Sequence, residues 1–352
     1  MSASDESNEI VFGQTAGLGG AGSLREADWP NPARGMFDTV DPVPGASKPD
    51  PILVASDVSR SFGGIRAVSV ERLEVQRGAI TALIGPNGAG KTTFFNLLTG
   101  FDKPDSGNVM FDGETASGQA SYKLAIKGMV RTFQLTKVLA RMTVLDNMML
   151  AGQQQSGESM FRGFIRMWGG QEAGVREKAL EILAQFNMTH MSGEFAGSLS
   201  GGQRKLLEMA RAMMAQPRLI MLDEPMAGVN PALTQSLLEH VKRLRSEGIS
   251  VVFVEHDMDV VRDISDWVVV MAEGEIIAEG TSDMIGSNQA VIDAYLGSSH
   301  ASLTEQILTG HIPDVEEVEA GLAEAAELEA AEIAAFEAET GPIEQVGESS
   351  DD

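Results

Sequence analysis

A chain of 352 residues without cysteine can hold one large or two medium domains, and it excludes a disulfide framework and any thiolate metal site. The net charge of −25 is unevenly spread: residues 1–50 carry −5, residues 298–352 carry −15 with no basic side chain, and 51–297 carry −5. The acidity therefore lies in the tails, and with no basic stripe the composition argues against nucleic acid as a partner.

The N-terminus, MSASDESNEI, is acidic and polar, unlike a signal peptide. No apolar run approaches the roughly 20 residues of a membrane helix, so the reading is a soluble protein. Residues 1–50 mix small and acidic residues with Pro30, Pro32, Pro42 and Pro44, and they read as a disordered extension. From Pro51 the pattern turns to short strands: ILVASDV, AVSVERLEV and, after the turn Gln76-Arg77-Gly78, the almost wholly apolar Ile80–Ile84. A run of that kind is a strand buried on both faces.

The octapeptide Gly85-Pro86-Asn87-Gly88-Ala89-Gly90-Lys91-Thr92 follows at once, with Thr93 after it and helical spacing from Lys91 to Leu98. This is the G-x-x-x-x-G-K-[ST] pattern in its strand–loop–helix context, and it predicts a site for a nucleoside triphosphate with Mg²⁺. The glycines let backbone N–H groups face phosphates, Lys91 adds a point charge, and the Thr92 hydroxyl reaches the metal ion.

Pro104-Asp105-Ser106-Gly107 is a turn, and NVMFDG after it reads as an antiparallel edge strand. Residues 137–197 change character: VLARMTVLDNMMLAG and VREKALEILAQF have helical spacing and form an inserted helical subdomain. Met142, Met148 and Met149 in it either fill a core or line a groove for a partner's short helix. Leu199-Ser200-Gly201-Gly202-Gln203 opens a helix from Arg204 to Ala215, where free N–H groups attract anions. LIMLDEP then ends a buried strand on Asp223 and Glu224. A carboxylate there is costly unless it serves a cation, which fits Asp223 to Mg²⁺ and Glu224 to a water attacking a phosphate. Pro231 starts a helix to Ser246, and ISVVFVE and WVVVMA are further buried strands. Strands alternating with helices around a phosphate loop make an α/β fold with a mainly parallel sheet.

These motifs, in this order and with Gln134 and His256 between and after them, make residues 51–297 similar to the ATP-binding cassette ATPases. The resemblance implies a P-loop NTPase (RecA-like) core with an antiparallel β subdomain and the helical insert. It implies that Gln134 senses Mg²⁺ and the attacking water, that Glu224 is the general base, and that His256 bonds the γ-phosphate. It implies that Phe62 stacks on adenine, the alternative being an edge-strand core residue. It also implies that Ser200, Gly201, Gly202 and Gln203 serve the nucleotide of an opposing subunit in a head-to-tail dimer. His190, His240, His300 and His311 read as surface or packing residues. Met226-Ala227-Gly228-Val229-Asn230 departs from the commoner Ser-Ala-Leu-Asp, leaving Asn230 without a charge.

SFGGIRAV, RTFQ, EPMAGVNP and AEGTSDMI…VIDAYLG resemble the ATPases of branched-chain (hydrophobic) amino-acid importers. Urea and amide importers and lipopolysaccharide exporters share parts of this pattern, and a soluble non-transport cassette ATPase is the remaining alternative. The resemblance implies integral-membrane permease subunits, a second ATPase or a second copy, and, indirectly, an extracytoplasmic binding protein. The subunit would lie on the cytoplasmic face of the inner membrane. Residues 298–352 contain no Lys or Arg and 315–339 within them are rich in Ala and Glu, and like charges at i,i+4 leave a marginal helix or disorder.

Overall fold

The computed structural model describes residues 30–132, 138–152 and 168–296. The expectations for residues 1–29, Gln134 and the 298–352 tail lie outside them.

Two sheets form the body. β1 (Pro51–Phe62) and β2 (Ile65–Gln76) make a long antiparallel hairpin, joined by β4 (Ser106–Phe111) and the two-residue β5 (Glu114–Thr115) in the order β2-β1-β4-β5. The hairpin turns on Gly63 and Gly64, at φ 54° and 88°, the left-handed pair a type I′ turn requires. β4 is flanked by β1 and β5, so β5 and not NVMFDG is the edge of this sheet. The second sheet has the order β10-β9-β3-β8-β7-β6: β3 (Ile80–Ile84), β6 (Met129–Arg131), β7 (Leu219–Asp223), β8 (Ser250–Val254), β9 (Trp267–Ala272) and β10 (Glu275–Gly280). All its pairings are parallel except β10 with β9. Every residue of β3, β7 and β8 is buried, as their unbroken apolar runs predict.

One face of this sheet packs with the antiparallel sheet and α1 (Lys91–Leu98); the other packs with the helical insert and with α6 (Pro231–Ser246) and α7 (Met258–Ile264). In the insert, α3 (Val144–Leu150) is shorter than the sequence pattern because Thr143 caps it in a reciprocal box with Asp146. Fully buried Asn147 then ties down the preceding turn, accepting from the Leu139 amide and donating to the Leu139 and Thr143 carbonyls. α4 (Trp168–Gln185) and α5 (Gly201–Met213) complete the unit, with Met148 fully buried and Met149 packed against the core. Core filling therefore accounts for these two methionines.

Residues 30–50 are not the disordered extension that their composition suggests. Phe37 stacks on Trp267 at 4.8 Å, Asn31 donates to Asp266, and Lys48 lies over the Trp267 ring. The Lys48 ammonium pairs at 2.9 Å with Glu279 Oε2, both side chains at most 1 % exposed, and Trp267 Nε1 donates to the same oxygen. A buried ion pair satisfied this fully fixes the seat of the segment more than it adds stability. Composition cannot reveal it, because the partners are more than two hundred residues away.

His240, on α6, is a packing residue stacked on Phe186 at 4.4 Å. Burial lowers its pKa to about 4, helped by Arg243. Above pH 6.5 the ring is neutral in both folded and unfolded chains. As pH falls from there toward 4, only the unfolded chain gains the proton, so stability is lost in that window. The native protein should therefore lose about 2 kcal/mol more than His240→Leu between pH 7 and pH 5. Urea titrations at the two pH values would check this, and parallel losses in both proteins would refute it.

Candidate nucleotide site

Because β3, β8, β7 and β6 run parallel, their C-terminal ends share one edge of the sheet, where ligands of open α/β sheets bind. β3 delivers the loop 85–90, β7 delivers Asp223 and Glu224, β8 leads into Glu255 and His256, and β6 ends on Arg131. The sequence brings these four segments together through topology alone.

The loop's glycines answer to different neighbours. A Cβ on Gly85 would lie 2.0 Å from the Met271 carbonyl, and one on Gly90 2.4 Å from that of Ala67. Those two positions are dictated by the protein's own packing. Gly88, at φ 78°, is exposed and a Cβ there would meet nothing within 4 Å, so it borders open space on the side a phosphate would approach. Gly90 caps α1 without any side-chain hydrogen bond, which leaves the helix N-terminus with its positive end open to an anion. The Lys91 ammonium folds back onto the Gly85 and Pro86 carbonyls at 2.7 and 3.0 Å. Burial lowers its pKa, and the nearby Glu224 carboxylate opposes that shift. Loop, helix end and lysine fit a triphosphate.

Asp223 is buried at the end of β7, and its Oδ2 accepts from Arg131 at 2.7 Å. Glu224 follows at φ 45°, left-handed and unusual for a glutamate, with its amide bonded to the Val254 carbonyl. Strain of roughly 1–3 kcal/mol is held here by the surrounding contacts. The pair lines a small cleft that opens to solvent, shared with Thr132, Lys205, Glu208 and Pro225. Asp223 and the Thr92 hydroxyl are oxygen donors of the kind a hard cation takes, few enough that phosphates and water must supply the rest.

Sequence reasoning missed three residues here. Arg131 holds Asp223. Lys205, on α5, donates to the backbone carbonyls of Glu224 and Ala227 and so joins that helix to the loop after β7. Glu255, only 1 % exposed, accepts the Met226 amide at 2.9 Å. Burial pushes its carboxyl above the usual range, the Met226 amide and His256 pull it back, and the Glu224 charge raises it further. It links that loop to His256, whose exposed ring lies with Nδ1 4.0 Å from Glu255 Oε2.

Ser200 caps α5 in a reciprocal box, its hydroxyl accepting from the Gln203 amide and Gln203 Oε1 accepting from Ser200 N–H. Ser200 and Gly201 are exposed, but Gly202 is buried, and a Cβ there would lie 1.9 Å from Leu233 on α6. The missing side chain there leaves room for Leu233. Asn230 caps α6, its Oδ1 accepting from the Leu233 amide, a task for which Asn serves as well as Asp. Phe62 is 48 % exposed beside Arg60, which removes the core alternative for it.

A strand–phosphate loop–helix unit in a parallel sheet, with an antiparallel sheet and a helical insert, defines a P-loop ATPase of the ATP-binding cassette class. Residues 69–227 match the model of the ABC transporter family, and 275–301 match that of the branched-chain amino acid ATP-binding cassette transporter. The chain is 41 % identical over 252 residues to the probable branched-chain amino acid transport ATP-binding protein LivG of Archaeoglobus fulgidus, covering 72 % of this chain and 98 % of LivG. It is equally identical to the high-affinity branched-chain amino acid transport ATP-binding protein BraF of Pseudomonas aeruginosa, covering 71 % and 99 %. Among solved structures, an ATP-binding cassette of an ABC transporter in its ADP conformation matches with TM-score 0.62 and 38 % identity, over 70 % of this chain and 99 % of that one. The chain belongs to the ABC transporter ATP-binding family, in the branch of these branched-chain amino acid transport ATPases.

Proposed function

We propose that this chain hydrolyses ATP to drive an importer of branched-chain or other hydrophobic amino acids. The observation that carries the reading is the segment 275–301, matched by the branched-chain transporter model. Its β10, α8 (Ser282–Gly286) and α9 (Gln289–Leu296) pack onto the nucleotide core. Tyr295 of α9 is 2 % exposed, and burial pushes its hydroxyl up to about 12 while the Gly85 backbone draws it back. The branch-specific segment thus bears on the first glycine of the phosphate loop.

In this reading the loop 85–90, Lys91, Thr92 and Thr93 hold the triphosphate, and Phe62 offers its exposed face to adenine. Thr92, Gln134 and Asp223 hold Mg²⁺, which supplies charge neutralisation on the transferred phosphoryl group. Glu224 orients and deprotonates the attacking water, and His256 donates to the γ-phosphate. Ser200, Gly201, Gly202 and Gln203 belong to the site of an opposing ATPase, a second kind of subunit or another copy. A dimeric cassette, 25 % identical with TM-score 0.55, supports pairing.

No helix among the described residues is long and apolar enough to cross a membrane, so permease subunits provide the pathway and this chain docks on their cytoplasmic side. Exposed Leu139, Leu150 and Phe195 on the insert offer apolar surface for that contact. An extracytoplasmic binding protein would deliver the substrate. Co-expressed with its permeases and partner ATPase, the chain should co-purify with them in detergent and support ATP-dependent leucine uptake in proteoliposomes. Failure to associate, with uptake unaffected by omitting the chain, would overturn the reading.

A further inference from the structure

We propose that Arg131 is a positioning residue for the divalent cation: it grips one oxygen of Asp223 and thereby presents the other. The inference rests on reading Asp223 as the Mg²⁺ carboxylate. Arg131 is the last residue of β6 and lies opposite Met221 of β7. Met221 and Asp223 are two apart on one strand and share a face, so register aims the guanidinium at the carboxylate. Nη2 donates to Asp223 Oδ2 at 2.7 Å, with side chains 9 % and 5 % exposed. Nη1 donates to Asn96 Oδ1 at 2.5 Å and to Thr99 Oγ1 at 3.3 Å. The Phe95 and Phe101 rings lie 4.9 and 5.1 Å from the guanidinium carbon.

These contacts fix the guanidinium before any nucleotide arrives. Asn96 and Thr99 belong to the end of α1, the helix that begins at the phosphate loop. Arg131 therefore references the carboxylate to the element that carries the phosphates. Among the described residues no hydrogen bond reaches Asp223 Oδ1, so the oxygen left over is the one available to a cation. A guanidinium suits this role because its donors are splayed in a rigid plane; an ammonium is a single point charge.

Two effects oppose each other at this position. The positive charge repels a nearby cation, so if charge dominated, neutralising Arg131 would tighten cation binding. If orientation dominates, neutralising it loosens binding, since groups that orient metal ligands are typically worth 10–100-fold in affinity. The buried, multiply anchored geometry favours orientation.

The test uses the full chain and a fluorescent ADP analogue, which removes hydrolysis from the readout. Its affinity is measured in EDTA, and the apparent Mg²⁺ affinity is then measured by titration, for native protein, Arg131→Gln, Arg131→Lys and Asp223→Asn. The expected result is unchanged ADP affinity in EDTA throughout, with Mg²⁺ affinity about tenfold weaker in Arg131→Gln and less weakened in Arg131→Lys. If Arg131→Gln does not fold, Arg131→Lys, which keeps the buried charge but loses the fork, decides by the same measurement. Native or tighter Mg²⁺ binding in the Arg131 variants overturns the proposal, as does an equal fall with and without Mg²⁺. Weakened binding in Asp223→Asn with native binding in the Arg131 variants sinks only the role of Arg131. Native Mg²⁺ affinity in Asp223→Asn sinks the reading of Asp223, and the proposal with it.

Discussion

Glu224→Gln in the assembled transporter should bind ATP as the native protein does while hydrolysing it about 10²–10⁴ times more slowly, the span a positioned general base contributes. Glutamine matches the shape of glutamate and can occupy the same left-handed turn, φ 45°. The Glu224 backbone helps hold the turn, its amide donating to the Val254 carbonyl and its carbonyl accepting from Ala227 and Lys205. These bonds survive the substitution, so lost activity would report the missing proton acceptor and not a displaced loop. Loss of the carboxylate also removes a charge that raises the Lys91 pKa, yet that lysine stays bonded to its own loop carbonyls. Nucleotide binding should therefore persist. Steady-state hydrolysis at the native rate would take the base assignment away from Glu224.

What could be read from the chain were features whose chemistry demands particular residue types at fixed spacing. A phosphate loop needs glycines, a lysine and a hydroxyl at set positions, and a carboxylate closing a buried strand needs a cation or a partner. The second rule, applied at Asp223, would also have found Glu255, since ISVVFVE ends on it in the same way. Arg131, Lys205 and residues 30–50 carry no such signal. Arg131 meets a carboxylate 92 residues away through strand register, and Lys205 meets carbonyls about twenty residues on through helix packing. The segment 30–50 is seated by Trp267, Asp266 and Glu279 at the far end of the sheet and, nearer in sequence, by Glu74 and Gln76 of β2. In Gly85 and Gly90 the residue type was legible but the reason was not. Each is dictated by a close neighbour within the protein, and only Gly88 fits the simple account of a loop clearing space for phosphate.

Ser200→Arg should abolish ATP-driven pairing of subunits while leaving nucleotide affinity at the Lys91 site unchanged. Ser200 is exposed at the N-terminus of α5, where free amide groups form an anion site. In the proposed assembly that anion is the γ-phosphate of the other subunit's nucleotide. An arginine there keeps the positive potential, so the expected defect is one of volume: a long side chain in a space that must close over bound ATP. The cap is lost too, at about 1 kcal/mol, which α5 tolerates because Leu206, Leu207, Met209 and Ala210 anchor it in the core. In a Glu224→Gln background, where ATP is not consumed, size-exclusion chromatography with Mg-ATP separates the effects. The chain alone should pair weakly, a mixture with its partner ATPase and permeases should give a stable complex, and adding Ser200→Arg should release it. Tight self-association of Glu224→Gln, indifferent to the partner ATPase, would replace the mixed pair with a homodimer. If Ser200→Arg also left that association intact, the opposing-site role of Ser200, Gly201, Gly202 and Gln203 would fall.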